Sequence, residues 1–176
     1  DGGTGADVYL FGKGSGADTV YNYDNDTVGT NADTIQLGAG IATTGVTLSR
    51  SGDDLIIRIN GTDDSLTVQY YFYEDGTSGY VVENLKFADG TIWNVDTIKT
   101  KVLAGTTGND TLYGYATADT LNAGDGNDTI DGKAGLDTAD YSRDEAEYAL
   151  LGVVVNLGAN GLGNGTATDE GKAAAR

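Results

Sequence analysis

Apolar and polar positions alternate most clearly between residues 46 and 72. Leu55, Ile57 and Ile59 share one face of an extended segment, and Leu66, Val68, Tyr70 and Phe72 share one face of the next. A period of two marks strands that bury a single side. Turns at Ser51-Gly52, Asn60-Gly61 and Asp89-Gly90 separate these runs. An Asp-Gly pair between apolar runs favours a two-residue hairpin, which sets Phe87 opposite Ile92. Residues 35–103 are thus expected to form a small antiparallel β segment with an apolar core of its own, able to fold unaided. On this alternation Tyr71 and Tyr73 point away from that core. A longer period follows, with Leu112, Leu121, Ile130 and Ala139 nine residues apart. Beyond it, Arg143–Leu151 reads as one or two helical turns and Val153–Leu157 as a strand. Gly158–Arg176, rich in Gly, Asn and Ala, reads as mobile chain.

Each apolar residue of the nine-residue period comes two places after an aspartate: Asp110, Asp119, Asp128 and Asp137. Cut into ninths, the stretch is GTTGNDTLY, GYATADTLN, AGDGNDTID and GKAGLDTAD, and the N-terminus repeats the grammar as GGTGADVYL. Glycine reaches conformations that other residues avoid, so such a turn can curl its carbonyl oxygens towards one point, where the Asp adds charge. Carboxylates and carbonyls make a hard oxygen shell suited to Ca²⁺. Zinc is disfavoured, since the chain has neither His nor Cys.

These ninths resemble the nonapeptide G-G-x-G-x-D-x-U-x of the RTX, or haemolysin-type calcium-binding, family. The resemblance implies an all-β chain in which parallel β-roll segments flank the antiparallel segment. In that roll two ninths make one coil, and each ion lies between the turns of neighbouring coils. Asp110 would then share an ion with Asp128, and Asp119 with Asp137. The first pair is the better built, with Gly105, Gly108, Gly124 and Gly126 at consensus positions beside Thr107. In the second, Gly114, Gly132 and Gly135 remain, but Tyr115, Thr117 and Lys133 stand where glycines belong.

At the N-terminus, Gly3, Gly5 and Asp7, then Gly14, Gly16 and Asp18, form two such loops eleven residues apart, the slipped register of a roll that is ending. Asp24 or Asp26 lies about one coil beyond Asp7 and either completes its site or sits in a solvated turn. Asn22–Asp33 fails as an EF-hand loop, because Thr27 replaces the central glycine and Asp33 the final Glu. The string GYVVENLKFADGTIW, with SRSGDDLIIRI and SLTVQYYFY before it, resembles the haemolysin-type calcium-binding-related domain. Its implied role is to cap one roll and space it from the next, covering strand edges. The expected divisions are a roll end at 1–34, a β spacer at 35–103, a second roll at 104–142 and the start of a further element at 143–176.

Composition sharpens this picture. With 28 Gly, and 27 acidic against 10 basic residues, the chain carries a net charge of −17 and repels itself. One apolar residue in nine makes a thin core, and thin cores need staples; without cysteine, metal remains. Folding of the rolls is then coupled to calcium. Nucleic acid and anionic membranes are poor partners for such a surface. No leader peptide or membrane span is evident in the sequence. A start inside a repeat and an end in GKAAAR look like a piece of a larger chain. Catalytic signatures are lacking: no His or Cys serves as base or nucleophile, no G-x-S-x-G elbow occurs, and Gly165–Lys172 departs from a P-loop in spacing. The reading is a non-enzymatic calcium-binding scaffold of an adhesin, surface-layer or matrix protein, or alternatively an accessory module of a secreted enzyme or toxin, with calcium and adjoining repeats as partners. The resemblance implies export through a type I channel to the surroundings or surface of a Gram-negative bacterium. Self-association and cell-surface glycans are further partners the surface would suit. The tyrosines also suit sugar stacking, although strand packing is their commoner use.

Overall fold

The computed structural model describes residues 2–24 and 31–140 in full, and the backbone of 154–156 and 166–168. Asp26 and the expected helical turns at 143–151 lie outside the described residues. The chain divides into two compact units, residues 1–101 and 102–176.

In the first unit the strands are β1 (Val8–Phe11), β2 (Ala17–Val20), β3 (Thr34–Leu37), β4 (Val46–Ser51), β5 (Asp54–Ile59), β6 (Ser65–Val68), β7 (Asn84–Lys86) and β8 (Ile92–Asn94), followed by helix α1 (Val95–Val102). They form two four-stranded sheets, ordered β1-β3-β7-β8 and β2-β6-β5-β4. The antiparallel expectation holds for β4-β5-β6 and β7-β8. It fails elsewhere, because β3 runs parallel to both β1 and β7, and β2 runs parallel to β6. Residues 1–34 are thus woven into the same sheets as the segment that follows. The chain passes from one sheet to the other as a roll does, and the β4–β5 hairpin and β8 extend the far edges of the two sheets. Ile35, Leu37, Leu55, Ile57, Ile59, Leu66, Val68 and Leu85 are all buried.

Two readings of register are corrected. Ile92 pairs with Lys86, not Phe87, and the Phe87 N–H bonds the Thr91 carbonyl at 2.8 Å. The loop has three residues and ends on Gly90 at φ 91°, so Phe87 and Trp93 are buried together while Ile92 faces out. The other concerns the tyrosines. The strand ends at Val68, and Tyr70 takes a left-handed conformation (φ 57°), held by its N–H bond to Asp54 Oδ1 at 2.8 Å. That break turns Tyr71 inward beside Phe72, and Tyr70 joins Tyr21, Tyr23 and Tyr73 around Tyr80 as a partly exposed ring cluster. Helix α1 was not foreseen. Asn94 Oδ1 caps it by accepting the Thr97 N–H at 3.0 Å, with Asp96 in its first turn and Lys99 and Lys101 in its last, as its dipole favours. Among the described residues, no helix is long and apolar enough to cross a membrane.

The second unit is built from strands of two or three residues: β9 (Thr111–Tyr113), β10 (Thr120–Leu121), β11 (Thr129–Asp131), β12 (Thr138–Asp140), β13 (Val154–Asn156) and β14 (Thr166–Thr168). They form two parallel sheets, β9-β11-β13 and β10-β12-β14. Thr111 pairs with Thr129 and Thr120 with Thr138, so one coil is two ninths, and Leu112, Leu121, Ile130 and Ala139 are buried. β13 and β14 prolong the same sheets, so the segment after 143 adds to the roll; the strand foreseen at 153–157 is β13.

Candidate calcium sites in the turns

One hydrogen-bonding step recurs where the chain enters a strand. The N–H of Asp110 donates to Asp128 Oδ1 (2.9 Å), and the N–H of Thr129 returns a bond to the Asp110 carbonyl (2.8 Å). The Asp119 N–H does the same to Asp137 Oδ1 (3.0 Å), with Thr138 returning to Asp119 (2.8 Å). In the first unit the Asp7 N–H donates to Asp33 Oδ1 (2.8 Å) and the Asp33 N–H to Glu83 Oε2 (2.8 Å), with Thr34 and Asn84 returning the bond. On the other sheet the Gly16 N–H donates to Asp64 Oδ1 (2.7 Å), and Ser65 returns it. An acidic side chain of each coil thus clamps the turn of the coil before it.

What differs is the second carboxylate oxygen. Asp64 Oδ2 accepts the Gly14 N–H at 2.9 Å, and Asp33 Oδ2 accepts the Asn22 amide at 2.7 Å. These two N–H bonds to Asp64 hold its carboxyl below the usual carboxylate range. In the second unit, Asp128 and Asp137 are 1% and 0% exposed, and the Oδ2 of each is buried without a hydrogen-bond partner. A buried carboxylate oxygen left unpaired is costly. Burial pushes the Asp128 carboxyl up, and the negative charges of Asp110 and Asp125 add to this against the relief from the Asp110 N–H.

A calcium ion fits this deficit. Gly124, Gly126 and Gly135 lie against the carbonyl oxygens of Thr106, Gly108 and Thr117 of the preceding coil, so closely that a Cβ would strike them. These carbonyls and the unpartnered carboxylate oxygens are hard oxygen donors of the kind that Ca²⁺ takes. Among the described residues no three acidic side chains gather at one point, so backbone carbonyls would make up most of the shell. Three of the four ninths open on a glycine, for a further steric reason. A Cβ on Gly105, Gly114 or Gly132 would collide with Oδ2 of Asp110, Asp119 or Asp137 five residues on, and on Gly105 or Gly114 also with the carbonyl of Ala123 or Gly132. Those oxygens of Asp110 and Asp119 brace their own loops, accepting the N–H of Thr106 and of Tyr115, each at 2.6 Å.

The structure brings together Asp110 with Asp128 and Asp119 with Asp137, and the second pair is built like the first. Tyr115, in a glycine's place, is buried, and Lys133 takes φ 66°, tied to Asp131 by an ion pair (3.0 Å) and lying over the Tyr113 ring (4.8 Å). Thr107 is exposed; its neighbour Thr106 makes the loop bonds. Asp18 stands outward in the middle of β2, two residues past the turn, while Gly14 and Gly16 hold Asp64. Asp7 is completed by Asp33, not Asp24, whose N–H bonds the Gly79 carbonyl. Sequence reasoning missed Asp33 and Asp64, yet the signal was present. Asp33-Thr34-Ile35 repeats Asp128-Thr129-Ile130, and Asp64-Ser65-Leu66 is its near copy.

Two families match the chain. Residues 104–139 match the RTX calcium-binding nonapeptide repeat in four copies, and residues 54–97 match the haemolysin-type calcium binding protein related domain. The chain therefore carries RTX repeats, which bind Ca²⁺, beside a domain related to haemolysin-type calcium-binding proteins. A stretch of 117 residues, 66% of this chain, is 40% identical to the iron-regulated protein FrpA of Neisseria meningitidis serogroup C, and it spans 10% of that protein.

Proposed function

We propose that this chain is a calcium-dependent folding scaffold within a large secreted RTX protein of the adhesin, surface-layer or matrix kind. The observation that carries the reading is the pair of buried, unpartnered oxygens on Asp128 and Asp137. Without a cation they oppose closure of the coils, and with one they join them, so ion binding is folding free energy. Extracellular calcium modules bind with Kd on the order of 10⁻⁴ to 10⁻³ M, far above cytosolic calcium. The repeats would leave the cell unfolded and set outside it, as secretion through a type I channel requires. The first unit, in which the second oxygens of Asp33 and Asp64 are met within the chain, serves as spacer between repeat blocks.

A second reading makes the chain an accessory folding and secretion module of an enzyme or toxin, with the chemistry elsewhere in the parent. The first is preferred because a β unit that shares the roll's turn step precedes the roll in the same chain, as successive modules of a long repetitive protein would. The test is a Ca²⁺ titration of chelator-treated protein, following far-UV circular dichroism and hydrodynamic radius, with Mg²⁺ as control. Strand signal should rise and the radius contract near millimolar Ca²⁺ only; an unchanged protein would defeat the proposal.

A further inference from the structure

The Asp7–Asp33 turn pair shares the backbone step of the roll sites and differs in its carboxylate oxygens: Asp7 Oδ2 is buried without a partner, where those of Asp110 and Asp119 brace their own loops. Its N–H to carboxylate bond is 2.8 Å against 2.9 and 3.0 Å in the second unit, and the returning backbone bond is 2.9 Å against 2.8 Å. Asp33 is 1% exposed, as buried as Asp128. Its Oδ2, however, is taken by the side-chain amide of Asn22, a residue that is itself fully buried.

All of the Asn22 amide is engaged. Nδ2 donates to Asp33 Oδ2 at 2.7 Å and to the Val81 carbonyl at 2.9 Å, while Oδ1 accepts the Tyr9 hydroxyl at 2.6 Å. The orientation is fixed by chemistry, since the flipped amide would aim an acceptor at a carboxylate and a carbonyl at once. Tyr9 is locked in turn, its hydroxyl accepting the Gly2 N–H at 2.9 Å. Among the described residues, the ion pairs are Arg50–Asp53 and Lys133–Asp131, so no cationic side chain neutralises Asp33. A carboxylate oxygen and a carbonyl oxygen converge here on an N–H₂ group, where the corresponding oxygens of Asp128 and Asp137 have no partner.

We infer that Asn22 is a built-in substitute for the ion: the Asp7–Asp33 turn is a roll site closed by an amide, and the coil around it is independent of calcium. This rests on the calcium reading of the second unit. The two can fail separately. Hydrogen exchange on the full chain, in Ca²⁺ and in chelator, reports the strands of both units by mass spectrometry. In chelator, peptides holding β9 to β12 should lose protection by tenfold or more, roughly, while those holding β1, β3 and β7 change by less than about twofold. If β9 to β12 do not respond, the calcium reading falls; if they respond and β1, β3 and β7 fade with them, only the Asn22 assignment falls.

Asn22→Asp extends the test. It replaces the amide donor by a third oxygen ligand beside Asp33 and the Val81 carbonyl. Protection of β1 and β3 in this variant should become calcium-dependent, lost in chelator and recovered on adding Ca²⁺. A variant that stays unprotected at saturating Ca²⁺ would overturn the claim that the amide occupies an ion's place. Tyr9→Phe, which removes the partner of Asn22 Oδ1 and of the Gly2 N–H but leaves the amide on Asp33, should lower protection of the same strands equally with and without Ca²⁺. A calcium-dependent loss there would also overturn it.

Discussion

The two units solve one problem with different means. Both enter their strands through turns in which an acidic side chain clamps the preceding coil, and both bury that acid. In residues 1–101 the second oxygen is met within the chain, by Asn22 for Asp33 and by the Gly14 N–H for Asp64. In the roll that follows, the corresponding oxygens of Asp128 and Asp137 have no partner. The first unit also has six-residue strands and aromatic packing around Phe72 and Trp93, whereas each two- or three-residue strand at Leu112, Leu121, Ile130 and Ala139 buries one Leu, Ile or Ala, with Tyr115 and Ala123 buried in the turns. A unit with a core can close its turns with its own amides. A unit without one recruits a cation, and its folding becomes conditional on the surroundings.

Chelation should separate the units most widely, with circular dichroism losing the roll's share of strand signal and keeping that of the first unit. Uniform loss would erase the contrast. Next comes removal of one free oxygen. Asp128→Asn and Asp137→Asn should each raise the calcium midpoint by about tenfold or more, equivalent to at least 1.4 kcal/mol. Asp119→Asn should do less, because Asp119 Oδ2 is engaged by the Tyr115 N–H. Equal effects in a calcium titration would show that position in the step does not matter.

Acid supplies a weaker probe, aimed at the first unit. The Asp64 carboxyl is held below its ordinary range by the Gly14 and Gly16 N–H groups, so its contribution is present above the unfolded-state value and lost as pH falls through the depressed one. In chelator, the melting-temperature gap between wild type and Asp64→Asn should be widest near neutral pH and close under strong acid. A gap that widened on acidification would contradict the assignment. The smallest effect is expected from Lys133→Gly. It relieves about 1–2 kcal/mol of left-handed strain and forfeits an exposed ion pair and ring contact worth about 1 kcal/mol together. A melting temperature in Ca²⁺ that is equal or slightly higher is the expected result, and a marked drop would mean that the Lys133 contacts outweigh the strain.

Much of this was legible in the chain. The ninefold spacing marked the buried Leu112, Leu121, Ile130 and Ala139, and the family resemblance implied the coil of two ninths and the pairing of Asp110 with Asp128 and Asp119 with Asp137. Alternation gave β5 and β6. What stayed hidden has physical causes. Asp33 and Asp64 lie 26 and 48 residues from the turns they clamp, behind segments without the glycine signature, so counting glycines pointed to Asp18, and the length of one coil to Asp24 or Asp26. A single left-handed residue, Tyr70, ended the strand and turned Tyr71 inward beside Phe72 while Tyr73 stayed exposed, which no periodicity can foresee. The parallel pairing of β1, β3 and β7 depends on contacts 26 and 50 residues apart, beyond the reach of local patterning.

The clamping step has a sense of direction. Each acid reaches back to the coil before it, so a coil is completed only when its successor arrives, and the newest coil is always the one with an unguarded turn. The array is a zipper whose teeth all lean one way. Whatever closes its far end must bring a carboxylate and then stop, as Glu83 does when the chain turns back from β7 into β8.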